Sequence, residues 1–134
     1  MERAMIPRYR AWDKEFKEMV QVDALVFDEQ IIKVTYKNGN VVKEDLKNYV
    51  LMQSTGMLDK NEREIFEGDV LKVTNLSSWL EVVSFNEDKA MFVSKETKRK
   101  VEETPLYDLF NTDIFEVEII GNIHTNPELA EVSS

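Results

Sequence analysis

Residues 52–73 read MQSTGMLDKNEREIFEGDVLKV, and this stretch decides the fold. Gly56 suits a positive φ, a backbone conformation that glycine adopts without steric cost. The polar residues 59–61, Asp-Lys-Asn, are typical of a tight turn because their short side chains bond to nearby backbone groups. The first half of the stretch therefore predicts a bend at Gly56 followed by a turn.

The second half of the stretch predicts a short strand and a corner. Ile65 and Phe66 are apolar neighbours that we expect to enter the core. Gly68 permits a sharp change of direction, and the carboxylate of Asp69 can accept a hydrogen bond from the backbone there. This order of glycine, acidic and apolar residues recurs in small SH3-like barrels, an analogy that concerns the fold alone.

Alternating β-branched and aromatic residues predict further strands on both sides of this stretch. The predicted strands are residues 25–27, 31–36, 41–42, 49–53, 70–74, 79–85, 90–94 and 115–123. Asn38-Gly39 predicts a two-residue hairpin turn with positive φ at both positions. Residues 86–89 predict a four-residue loop between two of the strands.

Signals for helix are few. Thr104-Pro105 predicts an N-cap and a first helical proline, opening a short helix through about residue 110. Asn126-Pro127 predicts a similar turn ending near residue 132, and residues 44–48 fit one more. The expected fold is mainly β, a β-rich α+β fold of short strands and hairpins. It has an SH3-like or similar small barrel in its later region and two or three short helical turns.

The chain has the length and composition of one ordinary globular domain. Its 134 residues are 43% hydrophobic and 32% charged, with no cysteine. We expect one domain, with residues 1–50 and 51–134 as possible sub-lobes. Disulfides and thiolate metal sites are excluded, which fits a reducing compartment. No apolar run approaches the ~20 residues of a membrane span, and no signal peptide is evident, so we expect no membrane association and a cytoplasmic location.

The net charge of −9 is concentrated at the end of the chain. Residues 1–100 carry −1, whereas residues 101–134 carry −8 with no Lys or Arg. General binding to duplex DNA is disfavoured, because it depends on neutralising phosphates with basic side chains. The only dense basic segment is residues 95–100, KETKRK.

No motif for catalysis, metal binding or cofactor binding stands out. His124 is the only histidine, and the sequence indicates no partner for it, so catalytic residues, metal and cofactor are all predicted to be none. Residues 59–63 resemble the start of a calcium loop, but Glu64 and Val70 stand where that motif requires glycine and glutamate. Phosphate-binding glycine motifs are also absent from the sequence.

The best candidate for a recognition surface lies near the N-terminus. Arg8, Arg10 and Trp12 would share one face of a strand and could bind a single strand of nucleic acid, with Lys14 beside them. The alternative is an ordinary edge strand with Tyr9 in the core and Trp12 anchoring a turn at residues 13–14. The candidate interaction surface is therefore Arg8, Arg10, Trp12 and Lys14.

Three segments together resemble the YopX family of phage and prophage proteins. They are residues 9–14, YRAWDK; residues 52–70, which include MQSTGMLDKN and EIFEGDV; and residues 118–129, EIIGNIHTNPEL. Their order and spacing fit the family over nearly the whole chain. Ser54, where the family often has a bulkier residue, and Arg63, in place of a small or basic one, are departures that leave the resemblance intact.

The resemblance implies a small protein encoded by a bacteriophage or prophage and acting in the cytoplasm of the bacterial host. The family has no settled biochemical activity, so no catalytic residues are carried over. It is thought to self-associate, which implies a homo-oligomer, with a trimer or a larger assembly as one option. A host protein is a further possible partner.

Three functions are compatible with these features. The leading hypothesis is a non-enzymatic protein-interaction module that recognises its partner through its surface. An acidic DNA mimic that occupies a host DNA-binding protein is the first alternative, suggested by residues 101–134. Weak binding of single-stranded nucleic acid through Arg8, Arg10, Trp12 and residues 95–100 is the second.

Overall fold

Antiparallel strands make up most of the computed structural model, which describes residues 7–130. The strands are β1 Tyr9–Asp13, β2 Glu18–Val26, β3 Ile31–Thr35, β4 Val41–Asp45, β5 Tyr49–Leu58, β6 Glu64–Phe66, β7 Asp69–Asn75, β8 Ser77–Asn86, β9 Met91–Glu96, β10 Thr104–Pro105 and β11 Glu116–Asn122. Short 3₁₀ helices span Leu46–Asn48, Leu106–Leu109 and Pro127–Ala130. The predicted mainly β fold with short helical turns is confirmed. No helix within residues 7–130 is long and apolar enough to cross a membrane.

Backbone contacts divide the chain into two units, Met1–Ser54 and Thr55–Ser134. In the first unit the strand order is β4-β3-β2-β1-β5. Only Leu46–Asn48 connects β4 to β5, although four strand spacings, about 19 Å in a flat sheet, would separate them. Four Cα–Cα steps reach at most about 15 Å. The sheet must therefore roll, and a bulge between Val22 and Ala24 increases its local twist.

The inner face of this rolled sheet forms the first core. Side chains alternate along each strand, so that Ile32 and Val34 of β3 are buried while Lys33 points to the other face. The buried apolar residues are Ala11, Val20, Ile32, Val34 and Tyr49.

The second unit contains a five-stranded sheet in the order β10-β9-β8-β7-β11. Strands β7 to β10 form a meander, and after the Leu106–Leu109 helix β11 returns to pair with β7. Its buried core is Ile65, Leu71, Val73, Val83, Leu106, Leu109 and Val117. β5 continues into this unit, where β6 adjoins it.

This connectivity is that of an SH3-like sheet, but the expected barrel does not close within residues 7–130. The edge strand β10 is two residues long, and one of them is Pro105, which has no backbone N–H to extend a ladder. A turn occupies the outer edge of β11 at the other side, as described below. An open sheet with two blocked edges replaces the expected closed barrel.

Several predicted local structures differ from the observed ones. Residues 36–40 connect β3 to β4, and the N–H of Tyr36 donates to the carbonyl of Asn40 at 2.8 Å, which leaves residues 37–39 as a three-residue loop. The N–H of Gly39 donates to the carbonyl of Tyr36 at 2.9 Å. Only Gly39 has a positive φ, of 90°, so the predicted turn with two such residues is wrong. The chain adopts a β-turn followed by a left-handed glycine, the usual three-residue alternative.

The helix predicted to begin at Pro105 begins one residue later, at Leu106. Thr104 and Pro105 form β10, which pairs with Ser94 and Val93 of β9. Pro105 occupies the cap position of the helix Leu106–Leu109 without a side-chain hydrogen bond. Pairing with β9 therefore outweighed the capping tendency of threonine. The predicted turn at Asn126-Pro127 is present as Pro127–Ala130, and its predicted end near residue 132 lies outside the described residues.

The strands β2 and β5 extend furthest beyond their predicted bounds. β2 covers Glu18–Val26, whereas only residues 25–27 were expected, because Gln21 and Asp23 interrupt the apolar pattern. β5 extends through Gly56, whose φ of 78° makes a bend without ending the strand.

Candidate interaction surfaces

Of the predicted recognition surface, Arg10 and Trp12 lie two residues apart in β1 and share one face of the sheet, whereas Arg8 precedes the strand and Lys14 follows it. Arg8 and Lys14 are exposed, whereas Arg10 and Trp12 are half-buried. The Nζ of Lys14 donates to the carbonyl of Lys47 at 2.9 Å. The role of these four side chains in recognition stays a prediction.

β1 is an interior strand, so the alternative prediction of an edge strand is wrong. It pairs with β2 on one side and β5 on the other, which places Trp12 between Met19 and Val50. The predicted role of Trp12 as the anchor of the following turn stays a prediction. The Oδ1 of Asp13 holds that turn, accepting from the N–H of Glu15 at 2.9 Å and of Phe16 at 3.1 Å.

A second polar group lies on the inner side of the rolled sheet, and we call it the tyrosine–aspartate network. The hydroxyl of Tyr36 donates to Oδ2 of Asp13 at 2.5 Å and lies 2.8 Å from the hydroxyl of Tyr49. Tyr49 also donates to Glu44 of β4 at 3.3 Å. The network joins β1, β4 and β5, and therefore links the two sides of the roll.

The network fixes the ionisation states of its members. Burial, together with donation to Asp13, raises the pKa of the Tyr36 hydroxyl well above its usual value of 10.0. Burial would also raise the pKa of Asp13, but hydrogen bonds from Tyr36 and the turn backbone outweigh it and hold that pKa below 3.8. Burial raises the pKa of Tyr49. A neutral tyrosine bonded to a carboxylate is stabilising here, and nothing in the arrangement creates a nucleophile.

In the second unit, the carboxylate of Asp59 organises the turn after β5. Its Oδ1 accepts from the N–H groups of Asn61 and Arg63, both at 2.9 Å, and its Oδ2 accepts from the N–H of Ile119 at 3.0 Å. The side chain is fully buried, and the Arg63 guanidinium lies 3.5 Å away. Burial would raise the pKa of Asp59, but these backbone bonds and the Arg63 charge lower it. The predicted turn at residues 59–61 is confirmed.

The same turn covers the outer edge of β11. The N–H of Lys60 donates to the carbonyl of Val117 at 2.8 Å, and the guanidinium of Arg63 donates to the carbonyl of Ile119 at 2.5 Å. With the bond from Ile119 to Asp59, outward-facing backbone groups of β11 are already satisfied. Another strand cannot pair there without displacing the turn.

The remaining sheet edges differ in how far they are open. β6 is only three residues long, and β10 contains Pro105. β4 has five residues, and no loop or side chain bonds to its outer edge in the part of the chain that the structure describes. We call Val41–Asp45 the β4 edge.

The β4 edge carries a lysine that lies opposite a second lysine on the neighbouring strand. Lys43 lies directly opposite Lys33 of β3, so two like charges share one face of the sheet. Neither lysine has a carboxylate within salt-bridge distance among residues 7–130. Like charges directly opposite each other destabilise a strand pair, and an acidic group from outside would relieve the repulsion.

Two surface cavities adjoin β8 and β9 in the second unit. The larger cavity, of about 710 Å³, is lined by Asn86, Lys89, Lys95, Arg99, Lys100, Val101, Glu102 and Glu103. The smaller cavity, of about 320 Å³, is lined by Trp79, Glu81, Ser94, Glu96, Arg99, Val101, Glu102, Thr104, Asp108, Leu109 and Phe115. The strand register places Asn86 and Lys95 on one face of the β8–β9 pair and Glu81 and Ser94 on the other. We call the larger one the basic cavity and the smaller one the aromatic cavity.

Sequence reasoning missed the aromatic cavity. Trp79 and Glu81 are two residues apart in β8, so they share a face, and Trp79 Nε1 donates to Glu81 at 2.7 Å. Ser94 of β9 donates to the other Glu81 oxygen at 2.6 Å. The rings of Trp79 and Phe115 meet edge to face with centroids 6.1 Å apart. Phe115 is remote in sequence, so only the Trp-x-Glu spacing could have given a signal.

The single histidine lies in a turn after β11. The backbone N–H of His124 donates to the side chain of Asn122 at 3.0 Å. Nowhere in residues 7–130 do three histidine, aspartate or glutamate residues cluster in a way that could hold a metal ion.

The chain matches a known protein family and is similar to a solved structure. The pattern described as YopX protein matches residues 8–131, so the chain is a member of the YopX family. It is also similar to the crystal structure of protein EF1440 from Enterococcus faecalis, with 26% identity and a TM-score of 0.64. That similarity covers 96% of this chain and 100% of the other. No curated protein matches the chain.

We predict that Asp59→Asn will lower the free energy of unfolding by about 1–3 kcal/mol, because a buried amide cannot replace an anion that accepts three backbone bonds. The folded pKa of Asp59 lies below its unfolded value, so its contribution is present above about pH 4 and is lost as the pH falls through the folded pKa. Urea titrations of the original chain and of Asp59→Asn should show that their difference in free energy of unfolding is smaller at pH 3 than at pH 7. An equal difference at both values would contradict the role of the charge.

For Tyr36 we predict the opposite dependence of stability on pH, because the pKa of its hydroxyl is raised in the folded protein. Its folded pKa is raised, so its stabilising bond is fully present below about pH 10 and is lost as the pH rises above that. We expect Tyr36→Phe to be less stable at pH 7 by about 1 kcal/mol and to lose stability less steeply above pH 10. Thermal denaturation across that range measures both, with Tyr107→Phe, an exposed tyrosine, as the matched control.

Proposed function

We propose that this YopX-family chain is a non-enzymatic protein-interaction module of phage or prophage origin, acting in the cytoplasm of the bacterial host and self-associating. The observation that carries this proposal is the β4 edge. It offers unpaired backbone groups over five residues, whereas the other sheet edges are short, interrupted by proline or covered. Strand addition at an open edge is a common way for proteins to bind one another.

The charge of the β4 edge favours an acidic occupant. Lys33 and Lys43 lie side by side without a carboxylate partner among the described residues, and residues 101–134 of the same chain carry −8. A second copy of the chain would bring such carboxylates to the edge. Complementary charge of this kind mainly fixes orientation and speeds association.

The DNA-mimic alternative is less well supported by the placement of the acidic residues. A mimic needs free carboxylates spaced like phosphates along one face. Glu116 and Glu118 instead lie 3.4 and 3.9 Å from the ammonium of Lys60. Glu103 accepts from the side chain of Asn86 at 2.7 Å. Part of the acidic charge is therefore already engaged within the chain.

The burial of side chains in β1 gives little support to the alternative function, binding of single-stranded nucleic acid. Trp12 is half-buried between neighbouring strands, which reduces the ring surface that a base could stack on. Arg10 is half-buried too. Surface recognition of a protein partner therefore remains the function that the geometry supports best.

We predict that the purified chain self-associates and that Lys43→Glu weakens self-association by at least about tenfold in Kd, equivalent to ~1.4 kcal/mol. The change places a negative charge where an acidic partner is expected. Sedimentation velocity over a hundredfold range of concentration measures it. Lys17→Glu, which makes the same charge change in the β1–β2 turn, is the control and should associate like the original chain.

Two results would contradict this proposal. One is a monomer at every concentration. The other is a Lys43→Glu variant that associates as strongly as the Lys17→Glu control.

A further inference from the structure

The aromatic cavity contains a buried carboxylate that no cation neutralises within residues 7–130. Glu81 is 6% exposed, and its two oxygens accept hydrogen bonds from Trp79 Nε1 at 2.7 Å and from the Ser94 hydroxyl at 2.6 Å. Acceptance at both oxygens is the bonding pattern of an ionised carboxylate. In the part of the chain that the structure describes, no Lys or Arg nitrogen lies within salt-bridge distance of it. Buried charges are normally paired, so this carboxylate can pair with a cation that a ligand supplies.

The strand register adds to the negative charge around Glu81. Glu96 of β9 lies directly opposite Glu81, on the same face of the pair, and like charges in that position repel each other. The exposed guanidinium of Arg99 lies 3.4 Å from Glu96 and compensates that carboxylate. Glu102 and Asp108, both exposed, add two more carboxylates to the lining. A cation bound in the cavity would relieve this repulsion.

The walls of the aromatic cavity are apolar. Trp79 and Phe115 line it and are half-buried, with their ring planes at 87° and their centroids 6.1 Å apart. Leu109, which is buried, adds to the apolar lining. Two rings at right angles form a corner, and the faces of aromatic rings attract cations within about 6 Å. The corner can therefore hold a cationic head together with an apolar stem.

These features favour an organic cation that carries N–H groups. A divalent metal ion requires several oxygen ligands around one point, and residues 7–130 contain no group of three histidine, aspartate or glutamate side chains that could hold one. Each oxygen of Glu81 accepts one hydrogen bond from the chain and keeps a lone pair for another. A primary ammonium donates up to three hydrogen bonds from a compact head on an alkyl stem. It therefore matches both the carboxylate and the rings.

We propose that the aromatic cavity binds a primary alkylammonium group, whose nitrogen donates to Glu81 and whose methylene stem packs against Trp79 and Phe115. A lysine side chain of a basic protein and a free polyamine share this chemistry. A second positive charge on either ligand would lie near Glu102 and Asp108. The volume of about 320 Å³ is at the lower limit of small-molecule sites, which suits one side chain or one slender amine. Neither the basic cavity nor self-association through the β4 edge is required.

The indole N–H of Trp79 is a direct reporter, because it donates to Glu81. The chain has two tryptophans, and a Trp12→Phe variant identifies the indole signal of Trp79 in a nitrogen–proton correlation spectrum. Titration of the original chain with n-butylamine, putrescine or spermidine should shift this signal in a saturable way. Tetramethylammonium, a cation without N–H groups, should bind at least about tenfold more weakly than butylamine. n-Butanol, which has the stem without the charge, should not bind.

The variant Glu81→Gln tests the carboxylate while keeping its shape. The amide oxygen can still accept from Trp79, and the amide nitrogen can donate to the Ser94 hydroxyl, which accepts as well as donates. We expect this variant to fold, because both hydrogen bonds are kept and an uncompensated buried charge is removed. Its affinity for butylamine should be at least about tenfold lower. Glu87→Gln, the same change at an exposed residue that lines neither cavity, is the matched control.

Two further variants leave the buried carboxylate intact. Phe115→Leu removes a ring while keeping an apolar side chain, and it should weaken butylamine binding about two- to fivefold. Asp108→Asn should weaken the binding of spermidine more than that of butylamine, because only the longer ligand brings a second charge to the rim. Circular dichroism and thermal denaturation establish that each variant folds. If Glu81→Gln does not fold, Phe115→Leu and Asp108→Asn decide the question.

A comparison of a peptide with a polyamine identifies the source of the ammonium group. Tighter binding of an N-acetylated tetralysine peptide than of spermidine assigns the cavity to a lysine side chain of a protein. Tighter binding of spermidine assigns it to a free polyamine. Three results would overturn the proposal: no saturable shift with any amine, tetramethylammonium binding as tightly as butylamine, or an affinity that these cavity substitutions leave unchanged.

Discussion

The buried carboxylate of Asp59 is the constraint on which the second unit depends. One oxygen closes the turn after β5 through Asn61 and Arg63, and the other bonds to Ile119 in the last strand. A single side chain thereby joins residues sixty positions apart in the chain. A buried carboxylate is stable only when several donors satisfy it, so the turn and β11 must form together. The core around Ile65 and Val117 lies between these two elements.

The turn that covers β11 limits where another chain can pair with the sheets. A sheet edge with unsatisfied backbone groups invites pairing with another chain, and three of the edges here are short, contain proline or are covered. The exception is β4, whose Lys43 lies opposite Lys33 of β3. In the first unit, Leu46–Asn48 connects β4 to β5, and the tyrosine–aspartate network holds the rolled sheet from within.

Charge is distributed through the fold differently from its distribution along the sequence. The acidic last quarter is partly neutralised by Lys60, which the chain brings to Glu116 and Glu118. The basic segment at residues 95–100 gains Lys89 from the β8–β9 loop. Glu81 is buried beneath Trp79 and Phe115, a setting that no local pattern reveals. These rearrangements give the two cavities beside β8 and β9 distinct chemistry.

By itself, the sequence determined the mainly β class, the YopX family and the local geometry of residues 52–73. The left-handed conformations of Gly56 and Gly68, the turn at Asp59 and the bond from Phe66 to Asp69 all follow from short-range chemistry within a few residues. Strand pairing was decided only by the tertiary structure. It made β1 an interior strand, extended β2 across polar residues and left the sheet of the second unit open.

The same division between sequence and tertiary structure applies to the candidate surfaces. Alternation along β1 was sufficient to place Arg10 and Trp12 on one face, because that periodicity is a property of any strand. It could not show how deeply Arg10 and Trp12 are buried, which depends on β2 and β5 as neighbours. Alternation also could not predict that Phe115 contacts Trp79 or that Lys43 lies opposite Lys33. Those contacts join residues far apart in the chain, and only the cooperative pairing of whole strands brings them together.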